Sequence, residues 1–302
     1  MMARPADPLA VVDEYVRAAP VPALRPYIAW YSGYRQRGLA PALHRGLPSP
    51  YLTLIFTLDE PLTVVGHPDP RQAPGGYDTL LGGLHTSPAL IAHDGAQSGV
   101  QVALRPLGAR ALLGLPAGEL AQHDLPADAV LGRVCEEARE RMRAASGWAG
   151  TFAVLDDILS RRSGHRVSAV DPEIAEAWAM LERARGSVPV VELAAEVGWS
   201  TRHLRTRFRT EIGLTPKAAA RVIRFDHARR LLGRRAAAVA GAGGPGELAL
   251  ADLAAGCGYF DQAHLAREFR ALAGAPPSRW LAEEAGYPAT GRRARAENIG
   301  TK

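Results

Sequence analysis

A repeat constrains this chain more than any other feature. Val191-Glu-Leu-Ala-Ala-Glu-Val-Gly-Trp-Ser-Thr-Arg-His-Leu-Arg-Thr-Arg-Phe-Arg209 continues to Gly213-Leu-Thr-Pro216. Leu250-Ala-Asp-Leu-Ala-Ala-Gly-Cys-Gly-Tyr-Phe-Asp-Gln-Ala-His-Leu-Ala-Arg-Glu-Phe-Arg270 continues to Gly274-Ala-Pro-Pro277. Each copy has Leu-Ala-Ala, then a glycine and an aromatic residue. A segment capped by Ser200 or Asp261 follows and closes on Leu-x-x-x-Phe-Arg. That is a helix, a tight glycine turn and a second helix, written twice. Leu204 and Phe208, like Leu265 and Phe269, are four apart and face a core, so the residues between them face outward. In a helix-turn-helix that outward face enters the major groove of DNA. It carries Thr201, Arg202, Arg205, Thr206 and Arg209 in the first copy, and Gln262, Ala263, His264 and Arg267 in the second. These types read base edges: arginine for guanine, glutamine for adenine, small apolar groups for the thymine methyl.

Helix signals surround both copies. Asp171-Pro172 starts a helix over 172–185 that ends at Gly186. Further helices are expected over 190–197, 201–211, 247–256, 262–272 and 276–284. Pro216 opens a longer one to Arg235, of 20 residues or about 30 Å, near the spacing of about 34 Å between major-groove faces on one side of B-DNA. Ala236–Gly246 reads as a flexible, small-residue joint. The domain is placed at 166–286, with a disordered tail at 287–302.

Charge agrees with this division. The chain of 302 residues carries a net +5. Residues 171–302 hold 20 basic against 15 acidic residues, and residues 1–170 hold 16 of each. The stretch 186–235 has 11 basic and 4 acidic residues, and all but Lys217 of the basic ones are arginine. A neutral front and a basic back imply a polyanionic partner for the back.

Residues 171–284 resemble the double helix-turn-helix domain of the AraC/XylS family of bacterial transcription regulators. The second unit and its sequel, Ala255 through Trp280, are close to that family's signature. The resemblance implies sequence-specific binding to double-stranded promoter DNA through both units. It makes RNA polymerase and a second copy of the chain candidate partners, and leaves activation or repression open. The Ala/Gly insert at 236–246 is longer than the usual join.

The front, residues 1–165, reads as strands followed by helices. Tyr51–Leu58, Leu62–Val65, Asp78–Leu84, Ala89–His93 and Gly99–Leu104 are short strand candidates, the first two a candidate hairpin. Two amphipathic helices follow. One, over 128–144, has Val130, Leu131, Val134, Cys135, Ala138 and Met142 on one stripe; the other covers 148–161. The fold class is therefore an α+β domain, a small antiparallel sheet or cupin-like barrel with helices, followed by an all-α domain with two helix-turn-helix units. Val100–Leu120 and Leu47–Phe56 resemble parts of an uncharacterised N-terminal domain found on many such regulators. That resemblance implies sensing of a small effector, or dimerisation.

Other classes fare worse. No apolar run of 18 residues suits a membrane span and no signal-peptide core is present, so a cytoplasmic protein is expected. Cys135 and Cys257 are too few for a disulfide framework. Gly241–Gly246 fits G-x-G-x-x-G, but no strand precedes it, so it reads as a loop and no cofactor is expected. His44, His67, His85 and His93 lack tight ligand spacing, so no metal and no catalytic residue is assigned. The alternative they keep open is a cupin-like metal-dependent enzyme fused to a DNA-binding module.

Overall fold

The computed structural model describes residues 11–163, 169–241 and 249–283. Strand β4 (Leu52–Thr57) shows how the front half is organised. Leu52, Leu54 and Phe56 point one way into the main apolar core, while Thr53 and Ile55 point the other way into a cavity. A strand apolar on both faces needs neighbours on both edges. β4 has them in β9 (Gln97–Leu104) and β7 (Thr79–Gly82). With β1 (Val12–Ala18), β2 (Ile28–Arg37) and β10 (Asp124–Pro126) they form an antiparallel sheet in the order β1-β2-β9-β4-β7-β10. A second antiparallel sheet runs β3-β8-β5-β6, from β3 (Ala42–Gly46), β5 (Leu62–Gly66), β6 (Gly75–Tyr77) and β8 (Ala89–His93). The expected hairpin of β4 with β5 does not form. Beyond Asp59-Glu60-Pro61 the chain crosses to the other sheet, where Leu62 and Val64 pack with Ile55, Tyr77 and Leu80.

Helices cover the outer face of the larger sheet. After the short α1 (Ala109–Leu113), the helix expected over 128–144 is two, α2 (Asp128–Leu131) and α3 (Val134–Ala144). They part at Gly132, whose φ of +64° stops the first turn. Leu131, Cys135, Ala138 and Met142 are nonetheless buried, so this stripe is core. Burial pushes the Cys135 thiol up to about 11. In α4 (Gly147–Ser163), Phe152 stacks on Tyr31 of β2, and the Tyr31 hydroxyl donates to Asp156 over 2.9 Å. Gly33 lies under Trp148, where a Cβ would stand 2.3 Å from the indole.

The remainder is helical: α5 (Pro172–Arg183), α6 (Val190–Glu196), α7 (Thr201–Ile212), α8 (Pro216–Gly241), α9 (Leu250–Gly256), α10 (Gln262–Ala273) and α11 (Pro277–Glu283). α8 is 26 residues, about 39 Å, longer than the 20 expected. The alanines from Ala236 continue the helix because alanine is its best former. The rest of the glycine-rich joint, most of the linker after Ser163 and the tail at 287–302 lie outside the described residues.

The front half packs directly on α7. The Arg110 guanidinium donates to both Glu211 carboxylate oxygens, at 2.8 and 3.0 Å. Gly118 comes so close to α7 that a Cβ would stand 2.0 Å from the Thr210 carbonyl oxygen. Arg45 of β3 pairs with Glu283 of α11 at 2.7 Å. One apolar cluster runs through both halves.

Candidate nucleic-acid interface

In the first unit, α6 ends at Gly198, where φ is +69° and a side chain would be strained. The Ser200 hydroxyl then accepts the His203 amide at 3.2 Å and starts α7. Leu204 and Phe208 are fully buried, with Phe208 against Trp178 of α5. The second unit repeats this: Gly258 at φ +74°, an Asp261 carboxylate accepting the His264 amide at 2.6 Å, and Leu265 and Phe269 buried. α8 is the common wall. Its Phe225 meets Phe269 edge-on at 5.0 Å, and Val222, Ala228 and Leu232 are buried in the same apolar cluster.

The outward faces differ in how far they are free. Thr201, Arg202, Arg205, Thr206 and Arg209 are all exposed on α7. The Thr206 hydroxyl donates to its own helix, at the Arg202 carbonyl. Arg202, Arg205 and Arg209 have no side-chain partner among the described residues, whereas Arg207 is tied to Asp171 at 3.0 Å. On α10, Gln262, Ala263 and Arg267 are exposed. His264 is half-buried: its ring stands edge-on to Tyr259, and its Nδ1 accepts the Phe260 amide at 3.3 Å. The His203 ring stands edge-on to Trp199 in the same way, at 4.5 Å.

Four arginines of α8 have partners within the protein, while Arg234 is exposed. Arg221 pairs with Glu268 at 3.0 Å, and Arg224 donates to the Gly186 carbonyl at 2.6 Å. Arg229 and Arg230 share Asp226, at 2.6 and 2.8 Å. On α7 and α10, Arg202, Arg205, Arg209 and Arg267 are exposed to meet a polyanion.

The two sheets enclose a cavity of about 460 Å³ that opens toward α8. Ile55, Val64, Leu80 and Ile91 line its apolar part. At its mouth, Arg17 lies over the Trp30 ring at 3.8 Å, and Arg230 approaches the same ring at 5.1 Å. Burial, with Arg230 nearby, pulls the Arg17 guanidinium below its ordinary pKa. Arg229 and Arg234 also line the mouth, and the Arg229 Nε is buried without a partner among the described residues. No sequence pattern signals this site, because Arg230 lies 200 positions beyond Trp30 in the chain. Deeper in, Asp124 accepts from His67 Nδ1 at 2.7 Å. Among the described residues no group of three or more His, Cys, Asp or Glu could hold a metal. No described helix is long and apolar enough to cross a membrane.

Residues 193–283 match the family model of a helix-turn-helix domain, and residues 16–126 match a domain of unknown function, DUF6597. No curated protein matches the chain. Among solved structures, ToxT from Vibrio cholerae O395 aligns with a TM-score of 0.48 at 13% identity, over 85% of this chain and 98% of its own. The C-terminal domain of AraT, a response regulator from Geobacillus stearothermophilus, aligns with a TM-score of 0.31 at 19% identity, over 45% of this chain and 95% of its own. The double unit and the helix-turn-helix match make the chain a DNA-binding transcription regulator, its helix-turn-helix domain carried behind a DUF6597 domain.

Proposed function

We propose that the chain reads promoter DNA with both α7 and α10, one in each of two adjacent major grooves, and that a small anionic effector held by the front domain modulates this reading. Residues 1–165 are then the sensing part and 166–286 the reading part. The observation that carries the DNA reading is the matched pair of exposed helix faces. Arg202, Arg205 and Arg209 are free on one, Gln262, Ala263 and Arg267 on the other, and both are held against the single helix α8. Arginine and glutamine make bidentate contacts to guanine and adenine. One monomer should protect an asymmetric site of about two turns of DNA. The test is selection of duplexes from a random pool by the full chain, followed by footprinting. Arg205→Ala should cost about 1–3 kcal/mol at one or two base positions and relax selectivity there. An equal loss on all sequences would make Arg205 a phosphate contact, and a one-groove footprint would remove the two-helix reading.

The sensing part rests on the cavity. Arg17 and Arg229–Arg230 bring excess positive charge to its mouth, with Asp226 as the carboxylate they share. An anion there relieves the repulsion between Arg17 and Arg230, while an apolar body fits among Ile55, Val64, Leu80 and Ile91. Such a ligand would touch the sheet domain and α8 together. In a thermal-shift panel of aliphatic and aromatic carboxylates, at least one acid should raise the melting temperature of the wild type. Arg17→Gln should abolish that shift while leaving the uncharged analogues without effect on either protein. A panel in which amides stabilise as well as acids would remove the anionic class.

A further inference from the structure

The two units are not quite copies. In the first, the buried-side aromatic Trp199 is followed at once by the cap, Ser200. In the second, one more residue stands between Tyr259 and the cap Asp261, and that residue is Phe260. Tyr259 already fills the apolar position, at 4% exposure, with Arg224 over its ring. Phe260 fills nothing in the protein. It is 92% exposed, and it is the one aromatic among the exposed large hydrophobic residues of the described chain.

Its backbone is nevertheless held. The Phe260 amide donates to His264 Nδ1, the His264 ring leans on Tyr259, and Asp261 caps the helix directly after it. The phenyl ring is thus presented in a fixed place at the N-terminal end of α10, beside exposed Gln262 and Ala263. That end of a recognition helix is the one that approaches base edges. A turn residue needs no apolar side chain in water, so the ring is explained by what lies opposite it. Phosphates and sugars offer hydrogen bonds and charge, which phenyl cannot use. The apolar group that the major groove exposes is the thymine C5-methyl, and phenylalanine is among the side chains that contact it.

We propose that Phe260 is a specificity-determining residue, reading a thymine methyl at the edge of the site bound by α10. This rests on the two-groove reading above and adds to it a base type and a contact that the first unit lacks.

The test uses duplexes enriched from a random pool by the full chain, with each thymine of the second half-site replaced in turn by deoxyuridine, which removes only the methyl. One such replacement should weaken wild-type binding about fourfold, the transfer of one buried carbon. Phe260→Ala should weaken binding to the thymine duplex and bind the thymine and deoxyuridine duplexes equally. Phe260→Leu should recover part of the discrimination. Because the ring is exposed, circular dichroism of both variants should match the wild type. If Phe260→Ala binds as tightly as the wild type, or keeps the deoxyuridine penalty, the assignment is overturned and the ring belongs to a protein partner or to none. If Phe260→Ala loses affinity equally on all duplexes, the ring packs on the DNA backbone and the assignment again fails. A pool that yields no enriched sequence would overturn the two-groove reading together with this one.

Discussion

Replacing Gly118 by valine should lift the sheet domain off the first recognition helix. A Cβ at 118 would stand 2.0 Å from the Thr210 carbonyl oxygen and 2.9 Å from that of Arg209. Both atoms belong to the backbone of α7 and cannot swing aside, so the two surfaces must part. Gly213 has the same constraint from the other side, where a Cβ would meet that of Ala121 at 2.8 Å. Parting also opens the Arg110–Glu211 pair, whose side chains are 24% and 9% exposed. Breaking a pair this enclosed without replacing it costs about 3–5 kcal/mol when the charges stay buried, and less once water reaches them. Amide hydrogen exchange should therefore quicken over 201–212 in Gly118→Val. Gly114→Ala is the control: its φ of +79° is strained for alanine, but nothing lies within 4 Å of the added atom. It should cost about 1 kcal/mol and leave α7 protected. Unchanged exchange in α7 of Gly118→Val would show that this contact does not hold the domains together.

Phe269→Ala should have the larger effect on DNA reading. Phe269 is fully buried and touches Phe225 of α8 at 5.0 Å and Trp280 of α11 at 5.9 Å, both edge-on. Truncating such a ring costs about 3–5 kcal/mol, most of the stability of a small helical unit. Edge-to-face partners add about 0.5–1.5 kcal/mol each. α9, α10 and α11 should then melt before the rest, seen as early loss of their amide protection. The DNA footprint should shrink to the part read by α7, since Phe208 of that helix packs on Trp178 of α5 rather than on Phe269. A variant that keeps both grooves and its melting temperature would mean that the second unit does not depend on this cluster.

These effects separate what is local from what is not. Both helix-turn-helix units were legible because each is specified within about 25 residues. Gly198 and Gly258 set the turns, Ser200 and Asp261 the caps, and Leu204, Phe208, Leu265 and Phe269 the inward faces. The exposed set on α7 was legible for the same reason, since helical periodicity alone turns Arg202, Arg205 and Arg209 outward. For His264 periodicity gives a direction and no partner; the ring leans on Tyr259 and accepts the amide of Phe260. The end of α8 was obscured by a run of small residues that suits helix and joint equally.

In the front half, composition gave the strands β4, β5, β7, β8 and β9 but not their partners. β2, with Ser32, Gly33 and Gln36 among its aromatics, has no clean alternation, and it became a strand by pairing with β1 and β9. By itself the sequence determined the repeated helix pairs, their outward residues and the division into a neutral front and a basic back. These rest on interactions within a few turns of chain. The tertiary structure decided the crossing between sheets after β4, the docking of Gly118 on α7, and the meeting of Arg17 and Arg230 at Trp30. Each of these joins residues tens to hundreds of positions apart. Their contacts exist only after the chain has met the entropy cost of closing those loops, and no local pattern records which closures repay it.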